Sequence, residues 1–201
     1  MVTIRMGSRG EAVRRLQAAL GIKADGIFGE KTRDAVIAAQ RAYGLAADGI
    51  VGEKTWAALG VGEMRRKSKR SISEIIVHCT ATREGQTVTV ADIDAMHKAR
   101  GFNGVGYHYV VYLDGSVHEG RDVDQIGAHC TGHNKNSIGI AYVGGVERDG
   151  KTPKDTRTPE QKAALRDLVA EMKALYPNAT LHGHREFANK ACPSFDVHTE
   201  L

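Results

Sequence analysis

The chain contains 201 residues, of which 41% are hydrophobic and 26% are charged, and its formal net charge is +4. This length has room for one small and one medium domain, and the composition is typical of a globular protein. No apolar run reaches the roughly 18 residues of a membrane span, and the N-terminus lacks the apolar core of a signal peptide.

The first part of the chain contains an internal repeat. Residues 24–32 read ADGIFGEKT and residues 47–55 read ADGIVGEKT, an offset of 23 residues that indicates a repeated supersecondary unit. In each copy Asp-Gly predicts a turn and Glu-Lys-Thr opens a helix. An earlier helix is expected to start with a capping box of Ser8 and Glu11. Residues 1–62 are therefore predicted to form three small helices around one core.

A basic segment, residues 63–71, follows this repeat. It holds five basic residues and one acidic residue, and residues 1–62 hold nine basic and six acidic residues. Because the segment has no apolar periodicity, we expect a solvated linker before a second domain over 72–201. Its charge could face an acidic polymer, either a nucleic acid or a bacterial wall. The absence of interleaved aromatic residues argues against a dedicated nucleic-acid patch.

From residue 74 the pattern alternates between strands and helices. The predicted elements are, in chain order, strand 74–79, helix 90–101, hairpin 106–120, strand 137–145, a helix from Pro159, and strand 179–184. Thr158 and Gln161 form a capping box around Pro159, which favours a helix start there. We therefore expect an α/β domain with a mixed β-sheet flanked by helices, beside a small N-terminal three-helix domain.

All nine histidines and all three cysteines follow residue 77, so the candidate chemistry lies in the second domain. His78 lies near the end of the first predicted strand, His184 ends the last one, and Cys192 follows eight residues later. Imidazole and thiolate are ligands of zinc, and a catalytic zinc site uses three protein ligands with one open position. By spacing alone, a hydrogen-bonded histidine and a buried cysteine are the commoner interpretations.

Five segments together resemble a known family: VHCTAT (77–82), GYHYVV (106–111), GRD (120–122), NSIGIAYVGG (136–145) and HGHREFANKACPSFD (182–196). Over residues 72–198 the chain is similar to the type-2 N-acetylmuramoyl-L-alanine amidases, especially the phage lysozyme branch, which cuts an amide rather than a sugar bond. The resemblance implies Zn²⁺ bound by His78, His184 and Cys192. It also implies catalytic roles for Tyr107 and Lys190 in hydrolysis of the N-acetylmuramic acid–L-alanine amide by a zinc-activated water.

The N-terminal repeat resembles the type-1 peptidoglycan-binding domain over about residues 3–61. The implied partner is bacterial peptidoglycan. Together the two resemblances imply a phage or prophage endolysin, and the lack of a signal peptide fits an enzyme held in the host cytoplasm until lysis. We expect a monomer that binds no nucleic acid and inserts into no membrane.

The remaining histidines and cysteines have their own expected places. His129 and His133 flank a glycine-rich loop and could line the substrate groove. His182 shares a strand face with His184 and could support it as a hydrogen-bond partner. His108 is expected to make a hydrogen bond in the sheet. Cys79 and Cys130 are expected in the core. We expect surface positions for His97, His118 and His198.

Three other functions stay open at this point. A cytoplasmic amidase that recycles muropeptides resembles this fold, but it uses an aspartate as third ligand and has no reason to carry a wall-binding module. A non-catalytic peptidoglycan recognition protein shares the fold and loses zinc ligands, usually the cysteine. Cys192 argues against both. A nucleic-acid binder rests on the basic segment alone.

Overall fold

The computed structural model describes residues 3–60 and 65–201. The chain divides into two compact units, Met1–Arg65 and Arg66–Leu201. Among the described residues, no helix combines the length and the apolar character that crossing a bilayer requires.

Three helices make up the described part of the first unit, as the sequence predicts: α1 (Glu11–Ala19), α2 (Glu30–Ala42) and α3 (Glu53–Ala58). They enclose one core, formed by Ile4, Val13, Leu16, Phe28, Val36, Val51 and Trp56. The predicted capping box of Ser8 and Glu11 is wrong, because α1 begins at Glu11 with Gly10 at its N-cap. The Ser8 hydroxyl instead accepts a hydrogen bond from the Arg5 N–H at 3.0 Å.

The two sequence repeats fold into two copies of one hydrogen-bond network. In the first copy, the buried Gln17 side chain donates to Asp25 Oδ1 at 2.8 Å. In the second copy, the buried Gln40 side chain donates to Asp48 Oδ1 at 3.0 Å. Each glutamine also accepts from the N–H of the glycine after its aspartate and contacts the threonine of its Glu-Lys-Thr sequence. A helical glutamine outside the predicted motif therefore fixes each turn.

The second unit contains these strands: β1 (Glu74–Cys79), β2 (Thr82–Arg83), β3 (Tyr109–Val111), β4 (Val117–Glu119), β5 (Ser137–Tyr142), β6 (Gly145–Val146) and β7 (Thr180–Gly183). Five of them form a sheet in the order β4-β3-β5-β1-β7, and β2 pairs with β6 separately. β4 is antiparallel to β3, whereas the other neighbours in the sheet are parallel. The predicted mixed sheet is confirmed.

Helices flank this sheet: α4 (Val90–Lys98), α5 (Pro159–Leu175) and the short α6 (Val197–Glu200). α5 starts with the predicted capping box of Thr158 and Gln161. Its apolar residues form one core with Ile75 and Val77 of β1. Because side chains alternate along a strand, His78 points to the sheet face opposite α5. The α/β fold class is confirmed, and the sheet leaves that second face for the site.

Residues 66–70 correct the prediction of a solvated linker. The Ser68 N–H donates to the Tyr176 hydroxyl at 2.6 Å, and Ser68 is buried. The Arg66 guanidinium forms an ion pair with Asp122 at 2.9 Å. Acceptors of the second unit thus bind the polar and basic groups that were expected to face water. The two predicted linker residues before Arg65 lie outside the described residues.

Candidate metal centre and active site

Two parallel strands bring His78 and His184 together. β1 and β7 pair in a register that sets Val77 opposite Gly183. The strands are parallel, so the residues that follow these two, His78 and His184, also lie side by side. His78 is buried, and its ring centroid is 4.6 Å from that of His184. The parallel register therefore explains a pair of residues that lie far apart in the sequence.

Cys192 reaches the same place from the loop that follows β7. The Arg185 N–H donates to the Cys192 carbonyl at 2.7 Å, and the Cys79 N–H donates to Cys192 Sγ at 3.2 Å. One donor atom from each of His78, His184 and Cys192 lies within 4.8 Å of the other two. Two imidazoles and a thiol are a donor set that fits zinc with an open fourth position.

Burial determines the protonation of these groups. Removal from water lowers the pKa of His78 well below its usual value and also lowers the pKa of His184. Both rings are therefore neutral, which is the form that binds a metal. A hydrogen bond with Cys79, together with burial, raises the pKa of the Cys192 thiol, and the same contact lowers the pKa of Cys79 to about 7. A cation bound to Cys192 would reverse this order, because it stabilises the thiolate that it contacts.

Tyr107 stands beside the three candidate ligands. Its ring centroid is 5.2 Å from that of His78. Burial raises the pKa of the Tyr107 hydroxyl, and the neighbouring Cys192 and Cys79 thiols raise it further. The hydroxyl is thus protonated at neutral pH and is a hydrogen-bond donor there.

Lys190 is exposed and lies two residues before Cys192. Its positive charge lowers the pKa of His184, after the larger effect of burial, and it contributes to the lowered pKa of His78. The structure therefore brings His78, His184, Cys192 and Tyr107 to one place, with Lys190 on the same loop as Cys192.

His129 packs directly against His78. Its Nδ1 atom lies 3.0 Å from His78 Nε2, and its Nε2 atom lies 3.3 Å from the Ser137 hydroxyl. A Cβ atom on Gly127 or on Gly139 would come within 2.5 Å of the ring, so both glycines are needed to make room for it. Only 9% of His129 is exposed. These contacts differ from the groove position that the sequence predicts for this residue.

His133 and His182 lie on either side of Phe187. The His133 ring stacks on Phe187 with centroids 3.8 Å apart, and its Nδ1 lies 3.0 Å from Glu74 Oε2. About a third of the His133 side chain, 31%, is exposed, so this histidine remains a candidate for substrate contact. The expected support of His184 by His182 is wrong, because both His182 ring nitrogens bond elsewhere, to Glu186 and Thr180.

His97 is buried, and the prediction that it lies on the surface is wrong. Its Nδ1 atom accepts a hydrogen bond from the Gly106 N–H at 3.0 Å, and its ring centroid is 5.3 Å from that of Tyr107. The sequence did carry a signal, since His97 follows the buried Ile93 by one helical turn.

The remaining predictions for histidines and cysteines agree with the structure. His108 accepts a hydrogen bond from the Gly139 N–H at 2.9 Å within the sheet. Cys79 and Cys130 are buried. His118 and His198 are exposed.

Two family models match the chain. The model of the N-acetylmuramoyl-L-alanine amidases matches residues 68–195, which is more than half of the chain. The chain belongs to the N-acetylmuramoyl-L-alanine amidase family. A second model, of a peptidoglycan binding domain, matches residues 9–59 of this amidase. Both resemblances inferred from the sequence are confirmed.

Phage endolysins are among the relatives of the amidase. It is 43% identical to the endolysin of Klebsiella phage KP32 over 129 residues, 64% of this chain and 85% of that protein. It is 44% identical to the endolysin of Escherichia phage T7 over 131 residues, 65% of this chain and 86% of that protein.

A solved endolysin structure is also similar to the amidase. The Ph2119 endolysin from the Thermus scotoductus MAT2119 bacteriophage aligns with a TM-score of 0.56 and 28% identity, over 68% of this chain and 87% of that chain. The matched family and these relatives agree on a peptidoglycan amidase of the phage endolysin type.

Proposed function

We propose that the amidase is a zinc-dependent endolysin that hydrolyses the amide between the lactyl carboxyl group of N-acetylmuramic acid and L-alanine. The observation that carries this proposal is the donor set of His78, His184 and Cys192, whose ligand atoms lie within 4.8 Å of one another. A zinc ion bound there supplies a water of lowered pKa, about 7, and polarises the amide carbonyl.

The first task of the chain is to hold that ion. The His78 atom near Cys192 Sγ is Nδ1, at 3.9 Å, so we assign Nδ1 as its ligand atom. The Cys79 N–H points at Cys192 Sγ, and a hydrogen bond from an N–H stabilises the thiolate that binding requires.

We assign His129 the role of a positioning residue for His78. When His78 uses Nδ1 as ligand, its single ring proton is on Nε2, which then donates to His129 Nδ1 at 3.0 Å. His129 in turn carries its proton on Nε2, facing the Ser137 hydroxyl. This chain of hydrogen bonds fixes both the tautomer and the rotation of the His78 ring.

Tyr107 and Lys190 act on the reacting groups. Because the pKa of Tyr107 is raised, its hydroxyl acts as a hydrogen-bond donor that orients the water or the carbonyl. The Lys190 ammonium stabilises the negative charge that develops on the carbonyl oxygen during attack. His133, which is partly exposed on Phe187, is proposed to contact the substrate.

The first unit is proposed to anchor the enzyme on peptidoglycan, which its family match and the basic excess of residues 1–62 support. We further propose that the enzyme works as a monomer on the cell wall, binds no nucleic acid, and stays in the host cytoplasm until lysis. Tethering to the polymer would raise the local concentration of the catalytic unit. A pull-down of residues 1–62 with purified sacculi, at low and high salt, tests the anchoring.

Digestion of purified peptidoglycan tests the proposed reaction. The expected result is one new L-alanine amino group per cut, no new reducing sugar, and loss of activity on chelation that added Zn²⁺ restores. Cys192→Ala should be inactive under the same conditions. New reducing ends without new amines would show a glycosidase. Binding to peptidoglycan without any release of amines would show a recognition protein.

A further inference from the structure

A second group of metal-ligand side chains lies apart from the catalytic set. It consists of His182 on β7, Glu186 at the end of the following turn, and His198 on α6. His182 Nδ1 lies 2.7 Å from Glu186 Oε2, and His198 Nε2 lies 3.2 Å from Glu186 Oε1. One ligand atom from each residue lies within 4.8 Å of the other two. The two groups share no residue.

Local hydrogen bonds hold the Glu186 side chain and the helix that carries His198. The Glu186 carboxylate accepts from the Gly183 N–H at 2.6 Å. Asp196 caps α6 by accepting from the His198 N–H at 2.9 Å, which fixes the helix that presents the His198 ring. A preorganised set of side chains binds an ion with little loss of conformational entropy.

The His182 ring is held between two polar side chains. Its Nε2 atom lies 2.8 Å from the Thr180 hydroxyl, and its Nδ1 atom lies 2.7 Å from Glu186 Oε2. The ring nitrogen and the carboxylate oxygen therefore face each other in the position that two ligand atoms of one metal ion would take.

We propose that His182, Glu186 and His198 bind a second divalent transition-metal ion of the zinc class. Two imidazoles with one carboxylate suit zinc, nickel or cobalt, whereas calcium and magnesium prefer oxygen ligands alone. The His182, Glu186 and His198 side chains are 23%, 32% and 58% exposed, so water completes the coordination and the ion exchanges with solution. Its binding does not depend on the proposed function.

The position of this ion has a consequence for the catalytic unit. Residues 187–197, between Glu186 and His198, include both Lys190 and Cys192. An ion held by both ends closes this segment into a loop, and because the unfolded chain lacks the site, the binding free energy of the ion stabilises the folded unit. The second ion is thus a structural clamp on the segment that supplies a catalytic ligand and a catalytic cation.

Equilibrium dialysis of the full-length protein against increasing zinc, with bound metal counted by elemental analysis, tests the proposal. The expected result is two equivalents in the wild-type chain and one in His198→Ala. Glu186→Gln keeps a similar shape and should weaken the second equivalent by about tenfold or more. His118→Ala removes an exposed histidine of the same unit and should retain two equivalents.

Two comparisons separate this proposal from the proposed catalytic function. Cys192→Ala should lose the other equivalent and keep the one held by His198. His198→Ala should keep the first equivalent, which also shows that it is folded, and its thermal midpoint should no longer rise with added zinc beyond one equivalent. A single equivalent in the wild-type chain at millimolar zinc, or an unchanged second equivalent in His198→Ala, would overturn the proposal.

Discussion

The Nε2 atom of His78 lies 3.0 Å from the Nδ1 atom of His129, and both rings are buried. Burial lowers the pKa of each, so the contact joins two neutral imidazoles. A neutral pair forms one hydrogen bond only when the tautomers are complementary. This is the physical basis for assigning His129 a positioning role.

Replacement of His129 tests that role. His129→Ala should weaken zinc binding by about 10- to 100-fold, the range found when partners of metal ligands are removed. His129→Asn keeps a polar atom near the Nδ1 position and should recover part of that affinity. Competition with a chromophoric chelator measures both values. Zinc affinity equal to that of the wild type in His129→Ala would mean that the contact is only structural.

The two neighbouring cysteines should respond differently to alanine. Cys192→Ala removes a ligand and should abolish turnover together with zinc binding at the site of His78 and His184. Cys79→Ala keeps the backbone N–H that donates to Cys192 Sγ, so zinc and activity should be retained. Bound zinc per chain and amine release measure the two effects. Equal loss in both variants would identify Cys79 as an essential group.

Tyr107→Phe and Lys190→Ala should leave zinc bound, because neither side chain is assigned as a ligand. Lys190→Ala removes the charge that faces the developing oxyanion, so turnover should fall by about 100- to 1000-fold. Tyr107→Phe removes only a hydroxyl and should also lower kcat. Turnover at the wild-type rate in either variant would show that the replaced residue has a structural role and no catalytic one.

The contacts of residues 66–70 determine where an isolated catalytic unit can begin. A fragment that starts at Arg66 keeps the Ser68 hydrogen bonds to Tyr176 and to Val123, whereas one that starts at Ser71 loses them. Two buried hydrogen bonds correspond to about 1–3 kcal/mol of unfolding free energy.

Urea denaturation of both fragments measures that difference. Full-length Ser68→Ala is the matched control, since it removes the hydroxyl and retains the N–H. Equal midpoints for the two fragments would show that these contacts do not contribute to stability.

His108 should make the fold sensitive to acid. Burial lowers the pKa of His108 to about 4 in the folded chain, whereas a histidine in the unfolded chain has a pKa of about 6.5. Between these two pH values the unfolded chain binds a proton at His108 that the folded chain does not bind. Stability therefore falls as the pH drops through that window, by up to about 3 kcal/mol from this residue.

The control variant for this prediction is His108→Asn, which cannot titrate but keeps an acceptor for the Gly139 N–H. The loss of stability between pH 7 and pH 4.5, measured by urea denaturation, should be smaller in this variant. An identical loss in both proteins would place the acid sensitivity in other groups.

Local patterns predicted most of the fold. The apolar run 74–79 is β1 with the same bounds, and the Thr158–Gln161 capping box starts α5 as expected. The candidate ligands were indicated by resemblance rather than by spacing. What brings His78 and His184 together is the parallel pairing of β1 with β7, which joins segments about one hundred residues apart.

Two of the failures involve polar groups whose partners lie far away in sequence. Ser68 is fixed by Tyr176, and a basic run gives no hint of that contact. His129 lies in a loop and is accommodated by two glycines, one of them on β5, so its burial follows from tertiary packing alone. Composition and periodicity report which residues prefer water, not which polar groups find a partner inside.

The duplicated network around Gln17 and Gln40 gives the first unit an approximate internal symmetry. A shift of 23 residues carries one turn onto the other, and with it the exposed side chains of Ile27 and Ile50, which are 44% and 38% accessible. The unit therefore displays one surface motif twice. A polymer of repeating units could therefore contact this unit through two equivalent surfaces at once.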